Sequence, residues 1–80
     1  MVLKPGMLVK SKAGRDKSSI YVIISVKNEY VYLADGDARP LRRPKKKNTK
    51  HLQPILKAGA AVYDSDAAIR EFIRRNVPHK

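Results

Sequence analysis

The densest apolar run of the chain, Ile20-Tyr21-Val22-Ile23-Ile24-Ser25-Val26, is short and rich in β-branched residues. Branching at Cβ suits a pleated strand better than a helix. The run is also far below the roughly 18 apolar residues that a membrane span needs. Strand alternation places Ile20, Val22, Ile24 and Val26 on one face and Tyr21, Ile23 and Ser25 on the other. A chain of 80 residues built around such a strand has room for one domain, and a domain of that size is marginally stable.

The flanking sequence is punctuated for further strands. Pro5-Gly6 marks a turn, and Met7 to Ser11 follows as a short strand with Met7 and Val9 on one face and Leu8 and Lys10 on the other. Lys27-Asn28-Glu29 is a hairpin connection, Tyr30 to Ala34 runs back, and Asp35-Gly36-Asp37 turns the chain again. Leu41 is placed to touch the core. Arg42 to Asn48 combines like charges with a proline, which reads as an extended loop rather than a central strand. His51 to Ile55 supplies a final short strand that closes the sheet.

The remainder is helical in pattern. Pro54 opens a short turn through Ala58 that Gly59 stops. Asp64 is the expected N-cap of a longer helix, with Asp66 in its first turn and Arg74 and Arg75 at its carboxyl end, each suited to the dipole. Ile69, Phe72, Ile73 and Asn76 fall on one narrow face, which is expected to dock on the β unit. The predicted fold is mainly β: a small barrel over residues 1–56, including a basic arm at 39–50, with a C-terminal helical extension at 57–80 docked on it.

Charge decides the functional reading. There are 18 Lys+Arg against 7 Asp+Glu, a formal net charge of +11. Self-repulsion of that size opposes compaction, and a polyanion partner relieves it. The cations cluster. Lys12, Arg15 and Lys17 surround Gly14, which lets a tight loop turn through positive φ and approach another molecule closely. Asp16 could pair with Arg15 or Lys17, or cap the turn. Arg39, Arg42, Arg43, Lys45, Lys46, Lys47 and Lys50 form a second group with no intervening acid. Folding gains nothing from such a group, whereas RNA phosphates would neutralise it. Both groups are therefore candidate RNA-binding residues. Tyr21, Tyr30 and Tyr32 fit half-buried strand packing better than base stacking.

Other chemistry is not expected. The chain has no cysteine, hence no disulfide or thiolate metal site. Asp35 and Asp37 fit turn chemistry, and neither His51 nor His79 belongs to a metal-binding or catalytic constellation. No metal, cofactor or enzymatic activity is expected. Lys4 and Pro5 follow Met1-Val2-Leu3 with no apolar stretch, so the expectation is a cytoplasmic monomer without a secretory leader or membrane segment.

Gly6-Met7-Leu8-Val9, Ala13-Gly14-Arg15-Asp16-Lys17, the Ile20 to Val26 strand and Leu33-Ala34-Asp35-Gly36 together resemble the KOW-domain RNA-binding proteins. The likeness is to a bacterial branch similar to the archaeal and eukaryotic KOW proteins of the large ribosomal subunit. Lys45-Lys46-Lys47 and Lys50-His51-Leu52-Gln53-Pro54 also look like this branch. The resemblance covers Gly6 to Pro54. It implies an SH3-like barrel that binds ribosomal RNA or otherwise associates with ribosomes, with ribosomal proteins as possible neighbours. Relatives often carry a further glycine just after the position of Lys17, where this chain has Ser18-Ser19. Two other readings stand beside it: a protein-interaction KOW module of the transcription or translation machinery, and nonspecific DNA binding.

Overall fold

A computed structural model describes residues 3–61 and 63–77; His79 and the outermost parts of the two predicted segments, residues 1–2 and 78–80, lie outside them. Five strands, β1 (Leu8–Ser11), β2 (Ile20–Lys27), β3 (Tyr30–Ala34), β4 (Lys45–Asn48) and β5 (Leu52–Pro54), precede one α-helix, α1 (Asp66–Asn76). The strands form a single sheet in the order β4-β3-β2-β1-β5, and every pairing is antiparallel.

The connection between the two outermost strands dictates the shape of the sheet. Laid flat, five strands would hold β4 and β5 about 19 Å apart. Yet only the 3-10 turn Thr49–His51 joins them, and a link from Asn48 to Leu52 reaches at most about 14 Å when fully extended. The sheet must therefore curl on itself. This is the mainly β, barrel-like domain with a C-terminal helix that the sequence predicts.

Curling gives the sheet an inside and an outside, and both carry apolar residues. Val9, Tyr21, Ile23, Val31, Leu33 and Leu52 fill the inside, with Leu3 and Met7 at its margin. Leu8, Val22, Ala34, Ala61 and Ile69 form a second cluster between sheet and helix, joined by Leu41, Phe72, Ile73 and Val77 among others. Met7 and Val9 separate from Leu8 as the alternation requires. In β2 the alternation fails after Ile23. Ile23 is opposite Leu33 but Ser25 is opposite Tyr32, so one extra residue is accommodated at Ile24. Such a bulge reverses the facing of everything beyond it. Val26 is thereby opposite Val31 on the inner side, not beside Val22, and Ser25 shares the outer side with Tyr32.

Several boundaries differ from expectation. The first strand begins at Leu8, not Met7, and the closing strand is Leu52–Pro54, not His51 to Ile55, because His51 belongs to the 3-10 turn. The N-cap of α1 is Ser65, whose hydroxyl accepts from Ala68 N, not Asp64. Asp66 instead accepts the backbone N–H of Leu41 at 2.7 Å, which ties the helix start to the β3–β4 connection. Pro54 still pairs with Val9, so the short 3-10 turn begins at Leu56. Finally, Lys45–Asn48 is an edge strand rather than a loop: each residue from Lys45 to Asn48 pairs with β3. Among the described residues, no helix is long and apolar enough to cross a membrane.

Candidate nucleic-acid interface

The segment between β1 and β2 is a closed loop. Ser11 N donates to Ser19 O at 2.9 Å and Ser18 N donates to Ser11 O at 2.8 Å, pinching its neck. Within it, Lys17 N donates to Gly14 O and Ser19 N to Asp16 O. Gly14 has φ +85°, which the tight turn requires. Ser18 also adopts a left-handed conformation, with φ +78°. A side chain is strained there. Ser18→Gly is expected to raise unfolding stability by about 1 kcal/mol. Urea titration checks this, and an unchanged or lower midpoint would remove the strain argument.

Asp16 organises the loop from below. Its Oδ1 accepts from Lys47 Nζ at 2.7 Å and from the Ser11 hydroxyl at 3.0 Å, and its Oδ2 accepts from the Tyr21 hydroxyl at 3.0 Å. Lys45 Nζ lies 3.7 Å from Oδ2. Burial works against the charged carboxyl. The hydrogen bonds from Lys47, Ser11 and Tyr21 and the charge of Lys45 outweigh it and hold the group at about 2. Burial and the neighbouring Asp16 carboxylate together push the Tyr21 hydroxyl above its ordinary range, so Tyr21 stays a hydrogen-bond donor. Lys47 completes the arrangement by donating to Ala13 O at 3.0 Å.

These contacts fasten the Gly14 loop to a strand 31 residues further along the chain. The expected phosphate-binding groups are thus neighbours, but they are not equivalent. Lys12, Arg15 and Lys17 are exposed on the loop, and Arg39, Arg42, Arg43, Lys46 and Lys50 are exposed on the second segment. Lys45 and Lys47 stand opposite Leu33 and Val31 and so point inward, where Lys47 retains only 9% of its side-chain exposure. Inward-pointing charges on an outer strand discourage edge-to-edge pairing with another chain. Lys47 is a tether, not a free cation. Lys12 N donates to His51 O at 2.8 Å, which adds a second attachment between the loop and the segment that carries Lys50.

The sequence alone pairs Asp16 with Arg15 or Lys17 or makes it a cap of the turn; its side-chain partners are instead Lys47, Lys45, Ser11 and Tyr21. The available signal is its isolation: Asp16 is the only acid before Glu29, and no acid lies between Asp37 and Asp64. Asp35 does serve its turn, its Oδ1 accepting from Asp37 N and Arg39 N. Tyr21 is buried as expected. Tyr32 is half-buried and Tyr30 remains exposed. Among the described residues no group of three His, Cys, Asp or Glu side chains gathers.

Comparison of the sequence with known proteins finds no matching family model and no similar curated protein.

Proposed function

We propose that the protein binds structured RNA through phosphate contacts on the joined surface of the Gly14 loop and the Arg39 to Lys50 segment. The observation that carries this reading is the Asp16 clamp. One partly buried carboxylate engages Lys47 and Lys45, which leaves Lys12, Arg15 and Lys17 exposed beside a second exposed set on residues 39–50. Exposed arginines add forked hydrogen bonds that a lysine cannot make. The barrel presents the loop in a fixed shape, and helical RNA is recognised largely by shape, phosphates and 2′-hydroxyls. The protein acts here as a binding module, not as an enzyme. The KOW-like pattern of its strands and glycines makes ribosomal RNA the first target to try.

The test is a salt series. Arg39, Arg42, Arg43 and Lys50 are changed together to Ser, which leaves the Asp16 clamp intact. The plot of log affinity against log salt should become shallower by about 3, since each lost phosphate contact removes about 0.7 to 0.9 from the slope. An unaltered slope would take this segment out of the interface. Equal affinity for duplex DNA and structured RNA throughout the series would favour nonspecific DNA binding instead.

A further inference from the structure

Beyond the loop and its neighbouring segment, the sheet carries a second surface suited to nucleic acid. Along β3, Val31 and Leu33 point into the barrel, so Tyr30, Tyr32 and Ala34 point out. Ala34 lies beneath the helix with Ile69, Leu8 and Val22. Neither Tyr30 nor Tyr32 belongs to either apolar cluster of the described residues. The helix thus covers one end of the outer face and leaves the tyrosine end open. Tyr30 is 38% exposed.

The residues beside these rings are small, polar or cationic. In register, Tyr30 lies between Lys27 of β2 and Asn48 of β4, and Tyr32 between Ser25 and Lys46. The bulge at Ile24 is what brings Ser25, not Val26, beside Tyr32. Lys46 places its ammonium 4.5 Å from the centre of the Tyr30 ring. That ring face lies against an exposed cation and not against either apolar cluster, so a base that replaces the ammonium finds a π surface to stack on.

We infer that Tyr30 and Tyr32 form a stacking platform for unpaired bases of RNA, flanked by Lys27 and Lys46 for the adjoining phosphates. This rests on the reading of the chain as an RNA binder and narrows its ligand to RNA with single-stranded nucleotides next to a helix. A base that settles on Tyr30 displaces Lys46 from the ring, and the ammonium is then free to meet a phosphate of the same strand. Stacked aromatic rings beside cations bind single strands with little regard to base identity, so the platform adds affinity for unpaired nucleotides rather than a sequence code.

The experiment compares two ligands, a blunt RNA duplex and an oligouridylate of about eight nucleotides, a length within the range one small barrel spans. The chain has four tyrosines and no tryptophan, so its intrinsic fluorescence reports the tyrosines directly. Oligouridylate should quench that emission. Tyr30→Ser with Tyr32→Ser should weaken oligouridylate binding on the order of 100-fold, about tenfold per lost stack, with duplex affinity and its salt slope unchanged. Tyr30→Phe with Tyr32→Phe should retain oligouridylate affinity, because the rings remain. An undiminished affinity of the serine variant for oligouridylate would overturn the platform and leave the phosphate surface standing. Equal losses on both ligands would also overturn it, marking the tyrosines as structural. Should the wild-type protein bind neither RNA in dilute salt, the RNA reading itself fails and the platform with it.

Discussion

Replacing Asp16 with alanine should lower unfolding stability by about 3 kcal/mol, the cost typical of leaving one partner of a buried ion pair without the other. For a domain of this length total stability is about 4–12 kcal/mol, so the loss is a large share of the whole. Lys47 would keep only its bond to Ala13 O and would sit, mostly shielded from water, without its counter-charge. Tyr21 would lose its Asp16 acceptor as well, and Ser11 would be left with Ala13 O alone. In urea the midpoint should fall by roughly 2 M, taking a denaturant slope normal for a small protein. Lys47→Met is the informative second change. Combined with Asp16→Ala it removes both charges at once and leaves no unpaired one, so the double variant should be more stable than the sum of the two single losses predicts. Simple additivity would show that the two side chains are not coupled.

The same carboxylate sets an acid limit. Asp16 is held at about 2 against an ordinary 3.8, so its folded value lies below its unfolded one. The stabilisation is therefore complete above the unfolded value and is lost as pH falls through the folded one. A displacement of this size corresponds to about 2 kcal/mol. Wild-type protein should weaken between about pH 4 and pH 2 by that amount more than Asp16→Asn does. Thermal unfolding across that interval would measure the difference, and parallel curves for the two proteins would refute it.

The local signals for strands and turns were legible because they are local. The β-branched run marks β2, Lys27-Asn28-Glu29 marks the hairpin, and Asp35-Gly36 marks the turn after β3. What stayed hidden depends on partners distant in sequence. Lys45–Asn48 has no apolar pattern, and it becomes a strand because β3 offers a free edge and Asp16 receives the inward lysines. The facing of Ser25 and Val26 depends on a bulge that β3 imposes across the hairpin. The cations of the candidate interface could be named one by one from the sequence, yet their division into exposed groups and a tether needed the Asp16 contacts. Helix capping shifted by a single residue because Asp64 and Ser65 are both competent caps.

Gly36→Ala should be the most damaging change at the helix–sheet junction, with a loss above about 3 kcal/mol from left-handed strain and steric overlap together. Gly36 has φ +78°, and a Cβ there would collide with Asp66 O and lie 2.9 Å from Arg70 Cγ. Neither obstacle can yield cheaply. Asp66 belongs to the first turn of α1 and also accepts from Leu41 N, while Arg70 Nη1 donates to Gly36 O at 2.6 Å. The expected result is a helix lifted from the sheet, exposing Leu8, Val22 and Ala34, with increased amide exchange in α1 and binding of a hydrophobic dye. Gly59→Ala is the matched control. Gly59 has a similar φ of +72°, but a Cβ there would meet nothing within 4 Å. With ψ −154° Gly59 lies in a region that glycine almost alone adopts, so its substitution should cost the conformational strain alone, about 2 kcal/mol. If both substitutions cost the same, the close approach of α1 to the Asp35-Gly36 turn does not hold the helix in place, and the open tyrosine end of the sheet would no longer owe its exposure to where that helix is anchored.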